Sequence, residues 1–283
     1  MRKEKVVLIT GCSTGIGREL CRILTGQGYT VIATARDVNA IENLHAAMIL
    51  PLDVTDRQSI ADAVKKVIAR FHRIDILVNN AGYSLRGALE EVDVEDSKKV
   101  FDVNVFGILN VIKAVVPVMR RNDSGRFLNI GSISGKFVQP VNGIYCASKH
   151  AVEALSDALR LELRGFKIQT TVIEPGPIET NFFKTLDRTS NSLLSGTDSC
   201  YSHFYETDAK FRKIQKRTPV NDAAVAISKI IAQKRLKPRY KVAVPLTSRL
   251  MVHFPDRLKE YIMRRVYPSN PQKSIVTSVP DKL

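Results

Sequence analysis

Cysteine is sparse and unpaired in pattern: Cys12, Cys21, Cys146 and Cys200 are scattered over 283 residues with neither CxxC spacing nor histidine partners. A disulfide scaffold and a zinc centre are thereby set aside, and a reducing compartment fits. No uncharged run approaches the length of a bilayer span, and the apolar stretch after "MRKEK" is too brief for a secretory signal. The expected location is cytoplasmic. Fixed-period repeats and low-complexity blocks are missing too, so neither a solenoid nor a disordered chain is indicated. Acidic residues run short only near the end, where residues 209–283 hold 18 Lys and Arg against 4 Asp and Glu. Nearly all of the net charge of +15 is therefore local. No recognised base-reading motif accompanies it, which argues against a nucleic-acid partner.

What is present is an ordinary globular composition, 44% hydrophobic and 25% charged. Short apolar, β-branched runs ("KVVLIT", "YTVIATA", "AMILPLD", "IDILVNNAG", "RFLNIGS", "IQTTVIEPG") alternate with segments of helical period at 15–27, 38–46, 56–71, 95–120 and 143–164. Strands apolar on both faces and separated by helices predict an α/β fold: a doubly wound parallel sheet flanked by helices, in three layers. One domain is expected over 1–267, interrupted at about 181–218 by a polar, aromatic-sprinkled insertion. Residues 268–283 read as a flexible tail.

The loop "TGCSTGIG", residues 10–17, leaves the first strand and opens the first helix. Gly11 suits a tight turn, Gly15 a close backbone approach to a pyrophosphate and Gly17 close helix–strand packing, while the helix N-terminus favours an anion. A purely structural strand-to-helix turn would use the same glycines. In "YCASK", residues 145–149, Tyr145 and Lys149 stand four apart on one helix face. An ammonium beside a phenol favours the phenolate; a surface neighbour pair has the same spacing.

Together with "NNAG" at 79–82, Asn104, "GSISG" at 131–135 and "PGPIET" at 175–180, these stretches resemble the short-chain dehydrogenase/reductase family across about residues 5–180. The loop and "YCASK" are also similar to its 17β-hydroxysteroid and retinol dehydrogenase branch. The resemblance implies a Rossmann-like fold, a nicotinamide cofactor, chemistry on CH–OH groups, a Ser-Tyr-Lys mechanism and no metal. It would make Tyr145 the acid/base, Lys149 its tuner and a ribose ligand, Ser132 the group that orients substrate oxygen, and Asn104 a helix break serving a proton relay. It would place cofactor contacts at Gly11, Ser13, Thr14, Gly15, Ile16, Gly17, Arg36, Asp53, Val54, Asn80, Ala81, Gly82, Tyr145, Lys149, Pro175, Gly176, Ile178 and Thr180. A dimer or tetramer through the helices at 95–120 and 143–164 is implied as well.

After the second strand, Ala35 stands where the family's NAD-selecting acid would fall, and Arg36 follows. A guanidinium pairs with a 2′-phosphate that a carboxylate would repel, so NADP(H) is favoured over NAD(H); Asp37 could turn inward and reverse this. Phe182, Phe183, Tyr201, Phe204, Tyr205 and Phe211 fall where the family has its substrate lid, which suggests a bulky apolar alcohol or ketone such as a steroid, retinoid or lipid. In "PDRLKEYIMRRVY", Leu258, Tyr261, Ile262 and Val266 share one helix face flanked by Arg and Lys. That face either packs on its own domain or rests on an anionic membrane. A regulator that binds NADP(H) without turnover is the competing class.

Overall fold

The computed structural model describes residues 5–180 and 199–268. Strands β1 (Val6–Ile9), β2 (Thr30–Ala35), β3 (Met48–Pro51), β4 (Ile76–Asn79), β5 (Gly125–Ile130), β6 (Ile168–Pro175) and β9 (Arg239–Val242) form one parallel sheet in the order β3-β2-β1-β4-β5-β6-β9. A separate short pair joins β7 (Ile178–Glu179) to β8 (Thr218–Pro219). The fold is thus Rossmann-like, with helices on both sides of the sheet. Its strand order reverses between β1 and β4, and open α/β sheets bind ligands beyond the carboxyl ends of the strands at such a point.

Alternation along β1 builds both faces. Val6 and Leu8 enter one core with α2 (Arg57–Phe71), α4 (Gly107–Arg121) and α5 (Gly143–Glu162). Val7 and Ile9 enter the other, with α1 (Gly15–Gly26) and α7 (Val220–Ile231). Burying each such Val, Leu or Ile contributes about 1.5–3 kcal/mol. The run Val94–Arg121, which includes α3 (Val94–Phe101), is long and apolar enough to cross a membrane by length and composition. In the fold, Ile108, Val111, Ile112, Val115, Val118 and Met119 of that run pack into the core.

Two local departures from the periodic reading have physical causes. Residues 38–46 do not form a full helix; only Asn39–Ile41 makes a 3₁₀ turn. Here polar side chains compete for the local bonds: Asp37 accepts from the Asn39 N–H, and Asn43 accepts from Arg18. Within 95–120 the helix carries a π turn at Asp102–Phe106, so the break expected at Asn104 is present.

The insertion at 181–218 lies partly outside the described residues, Phe182 and Phe183 included. Its described part forms α6 (Ser202–Ile214). The tail lies outside them beyond Pro268. Helices α8 (Leu246–Met251) and α9 (Asp256–Val266) fold back so that Met251, Val252, Ile262 and Met263 pack with Ile133, Phe137 and Val244. The inward side of α9 is therefore Ile262 and Met263. The face proposed from sequence splits, because Leu258, Tyr261 and Val266 remain exposed.

Candidate active site

A cleft of about 1110 Å³ opens over the carboxyl ends of the strands. Its floor begins at the glycine loop. Gly11 adopts φ +72, and a Cβ there would stand 2.8 Å from the Ala81 Cα. Gly15 adopts φ +62 against Thr180. Both conformations suit glycine and bring bare backbone to the cleft. Thr14 caps α1 without a side-chain hydrogen bond, and the first turn holds no acidic residue. The first amides of the helix are thus left for an anion, which is what a dinucleotide pyrophosphate requires.

Ser13, Thr14, Ile16, Arg36, Asp53, Val54, Asn80, Ala81, Gly82, Pro175, Gly176, Ile178 and Thr180 line this same cleft, as do Ser132, Tyr145 and Lys149. Gly17 and Asn104 do not. At Gly17 a Cβ would come within 2.4 Å of the Asn80 amide nitrogen and 2.5 Å of the Gly11 oxygen, so its work is packing behind the loop rather than cofactor contact. Asn80 fastens the loop by donating to the Thr10 and Gly11 carbonyls, each at 2.9 Å. Asp53 spends Oδ1 on the Thr55 N–H (2.9 Å) and hydroxyl (2.7 Å), while Asp56 caps α2.

At the other end of the cleft, α5 presents Tyr145 and Lys149 one turn apart, with the Lys149 Nζ 5.8 Å from the tyrosine ring centroid. Ser132 accepts from the Ser134 N–H at 3.1 Å, which leaves its hydroxyl proton for the Tyr145 oxygen, to which it is hydrogen-bonded. It is both a turn former and a partner of the phenol. Asn104 is fully buried. Its Oδ1 accepts from the Tyr83 N–H (3.0 Å), and its Nδ2 donates to the Tyr83 carbonyl (2.8 Å) and Ser148 (3.1 Å). A Cβ on Gly82 would lie 2.9 Å from Asn104 Oδ1 and 3.8 Å from Lys149 Nζ. That glycine keeps open the space between them.

The electrostatics correct the simple pairing argument. Burial pushes the Tyr145 phenol up to about 12, opposed by the Ser132 hydrogen bond and the field of Arg86. Burial pushes Lys149 down to about 8, opposed by Glu153 one turn along α5. Taking both groups out of water outweighs any attraction between ammonium and phenolate. The amine instead donates to the Ile130 carbonyl at 2.8 Å. At neutral pH the protein by itself thus holds a protonated phenol beside an ammonium.

Sequence reasoning missed several residues on the substrate side. Arg86, Phe137, Met251, Ile262, Met263, Val266 and Tyr267 all line the cleft. Glu153 could have been found by its four-residue spacing from Lys149. It is buried and held by Lys136 and Arg239, each at 2.7 Å. Of the aromatics expected there, Phe211 lines the cleft, whereas Tyr201, Phe204 and Tyr205 pack with Ala88 and Val141.

A parallel sheet with a phosphate-ready helix end and a Ser-Tyr-Lys group in one cleft defines a nucleotide-dependent oxidoreductase. The short chain dehydrogenase family model matches residues 5–191. A 3-ketodihydrosphingosine reductase of Bacteroides thetaiotaomicron is 35% identical over 271 residues, covering 94% of this chain and 98% of the relative. Human 17-beta-hydroxysteroid dehydrogenase type 1 is 36% identical over 248 residues, covering 82% and 75%. The closed form of a serine dehydrogenase complexed with NADP+ superposes with a TM-score of 0.74 at 27% identity, covering 86% and 95%. This chain belongs to the short-chain dehydrogenase/reductase family. It is an NAD(P)-dependent oxidoreductase acting on CH–OH or keto groups.

Proposed function

We propose that the chain is an NADP(H)-preferring carbonyl reductase and alcohol dehydrogenase for a substrate with a bulky apolar body, of steroid, retinoid or long-chain lipid type. The observation that carries this reading is the continuity of one cleft. It runs from the glycine loop, past Ser132, Tyr145 and Lys149, to a wall of Phe137, Met251, Ile262, Met263 and Val266. Two relatives named for a sphingoid ketone and for a hydroxysteroid support the apolar class.

Gly11, Ser13, Thr14, Gly15 and Ile16 would hold the pyrophosphate end, and Lys149 the nicotinamide ribose. When bound, the nicotinamide supplies or accepts the hydride. Tyr145 gives its proton to the substrate carbonyl oxygen, or takes one from the alcohol. Ser132 donates to that oxygen as charge develops on it. Lys149 stabilises the phenolate left behind, and Asn104 keeps the π turn and Gly82 in place beside it as part of the relay.

Preference for NADP(H) rests on Arg36, which is exposed at the cleft, and on Asp37, whose Oδ1 is committed to the Asn39 N–H at 3.0 Å. The competing carboxylate is engaged with its own backbone, and a guanidinium remains for a 2′-phosphate. We place the protein in the cytoplasm, as a homodimer or homotetramer through α4 and α5. Exposed Phe106, Leu161 and Phe166 on or beside those helices support that interface. Exposed Leu246, Leu250, Leu258 and Tyr261 beside Arg249, Arg257, Arg264 and Arg265 support peripheral contact with an anionic membrane.

The test is loss of NADPH absorbance with a panel of long-chain ketones, steroid ketones and retinal, repeated with NADH. Turnover of a large apolar carbonyl, faster with NADPH, is expected. Turnover confined to small hydrophilic carbonyls, or a preference for NADH, would overturn the reading.

A further inference from the structure

Beside Phe137, Met251, Ile262 and Met263, the cleft also carries polar side chains, Gln139, Asn142, Gln215, Thr247 and Ser248 among them, and one buried arginine. That arginine, Arg86, is only 8% exposed and follows the "NNAG" segment on a loop. Its Nη1 donates to Asp208, a residue of α6 that is itself only 4% exposed. Among the described residues this is its one hydrogen bond, although a guanidinium carries five N–H donors. The Nε is buried with no partner. Asp208 is shared as well: its other oxygen accepts from the Arg212 Nε at 2.9 Å, and the Tyr267 hydroxyl stands 3.5 Å away. One carboxylate thus serves two guanidiniums.

A buried guanidinium with a donor left without an acceptor is costly, and folds normally satisfy such groups. The loop that carries it is also held firmly. The Tyr205 hydroxyl accepts from the Ala88 N–H at 2.8 Å and donates to Glu91 at 2.6 Å. Arg86 lines the same cleft as Ser132 and Tyr145, where the reacting carbonyl would sit.

We infer that Arg86 is a substrate-binding residue that donates hydrogen bonds to a second oxygen of the substrate, a carboxylate, carbonyl or hydroxyl lying near the carbon that is reduced. The substrate is then an amphipathic oxo compound, its oxygen-bearing head on Arg86 and its apolar body against Met251, Ile262 and Met263. A substrate offering only an ammonium at that position would be disfavoured by like charge. This rests on the carbonyl-reductase reading above and narrows it.

The experiment compares 3-oxododecanoate with dodecan-3-one, which share chain length and carbonyl position and differ in the carboxylate. Activity is read as kcat/KM by NADPH oxidation for wild type, Arg86→Met and Arg86→Lys. Asp208 keeps Arg212 in the methionine variant, so a folded protein is expected; bound NADPH fluorescence reports that. Should the methionine variant not fold, the lysine variant carries the comparison, since it keeps the charge and loses the planar fork. The wild type should prefer the oxo acid by at least tenfold. Arg86→Met should abolish that preference through KM, and Arg86→Lys should retain a part of it. Equal use of the two compounds by wild type, or an unchanged ratio in the folded variants, would overturn the role of Arg86. Reduction of neither compound nor of any other carbonyl would instead overturn the reductase reading.

Discussion

Lys149→Met should change how the stability of the protein responds to pH. In the fold the Lys149 amine has a pKa of about 8, against 10.5 for an unperturbed lysine, and burial is the largest cause. At 1.36 kcal/mol per unit, keeping it charged costs the folded state about 3 kcal/mol. Below pH 8 both states are protonated and the whole cost is present. Between about 8 and 10.5 the folded protein sheds the proton while the unfolded chain retains it, so stability rises with pH, and above 10.5 the cost is gone. Methionine fills similar space without titrating. Urea unfolding of both proteins at pH 7.0 and pH 9.5 gives the difference between them, in which the other titrating groups, such as the buried Cys12 and Tyr145, largely cancel. Wild type should gain about 2 kcal/mol on the variant across that interval. A wild-type stability that stays constant or falls relative to the variant between pH 7.0 and pH 9.5 would mean that Lys149 is not a buried ammonium at neutral pH, and its role beside Tyr145 would fall with it.

Arg36→Ala should raise the KM for NADPH by about tenfold or more while the KM for NADH moves little, because one charge-assisted bond to a phosphate is worth about 1.5–3 kcal/mol; parallel changes would show that Arg36 does not read the 2′-phosphate. Wild type should sediment with vesicles containing phosphatidylserine, less so at high salt, and the pair Leu250→Glu with Leu258→Glu, both away from the cleft, should weaken that association. Equal recovery of wild type and variant with the vesicles would remove the membrane contact.

The sheet was legible because its strands are buried on both faces and their apolar runs stand between segments of helical period. Local spacing showed which groups of the glycine loop and "YCASK" share a turn or a helix face, and their roles were legible only through the resemblance of the whole series of motifs to a known family. The packing role read for Gly17 agrees with the fold, where Asn80 and the Gly11 carbonyl crowd it; the cofactor contact that the resemblance added for it does not hold, since Gly17 is not among the residues lining the cleft. The balance at Tyr145 was not legible, since i,i+4 spacing gives the attraction to Lys149 and says nothing of how deeply both are buried. Arg86 and Asp208, 122 positions apart in the chain, meet only through the packing of α6 on the loop after β4. No local pattern records that meeting. The inward side of α9 was half legible, since periodicity marked an apolar stripe wider than the strip that Ile262 and Met263 bury.

Tyr145→Phe is the most direct measurement of the central claim. The substitution removes one oxygen from a buried ring that keeps its packing against the cleft. NADPH binding, followed by the fluorescence of the cofactor itself, should stay close to wild type, while the rate of hydride transfer to the best ketone should fall by at least a thousandfold, on the order expected when a positioned acid is lost. A variant that binds NADPH and still reduces the ketone within a few-fold of wild type would show that the proton comes from elsewhere.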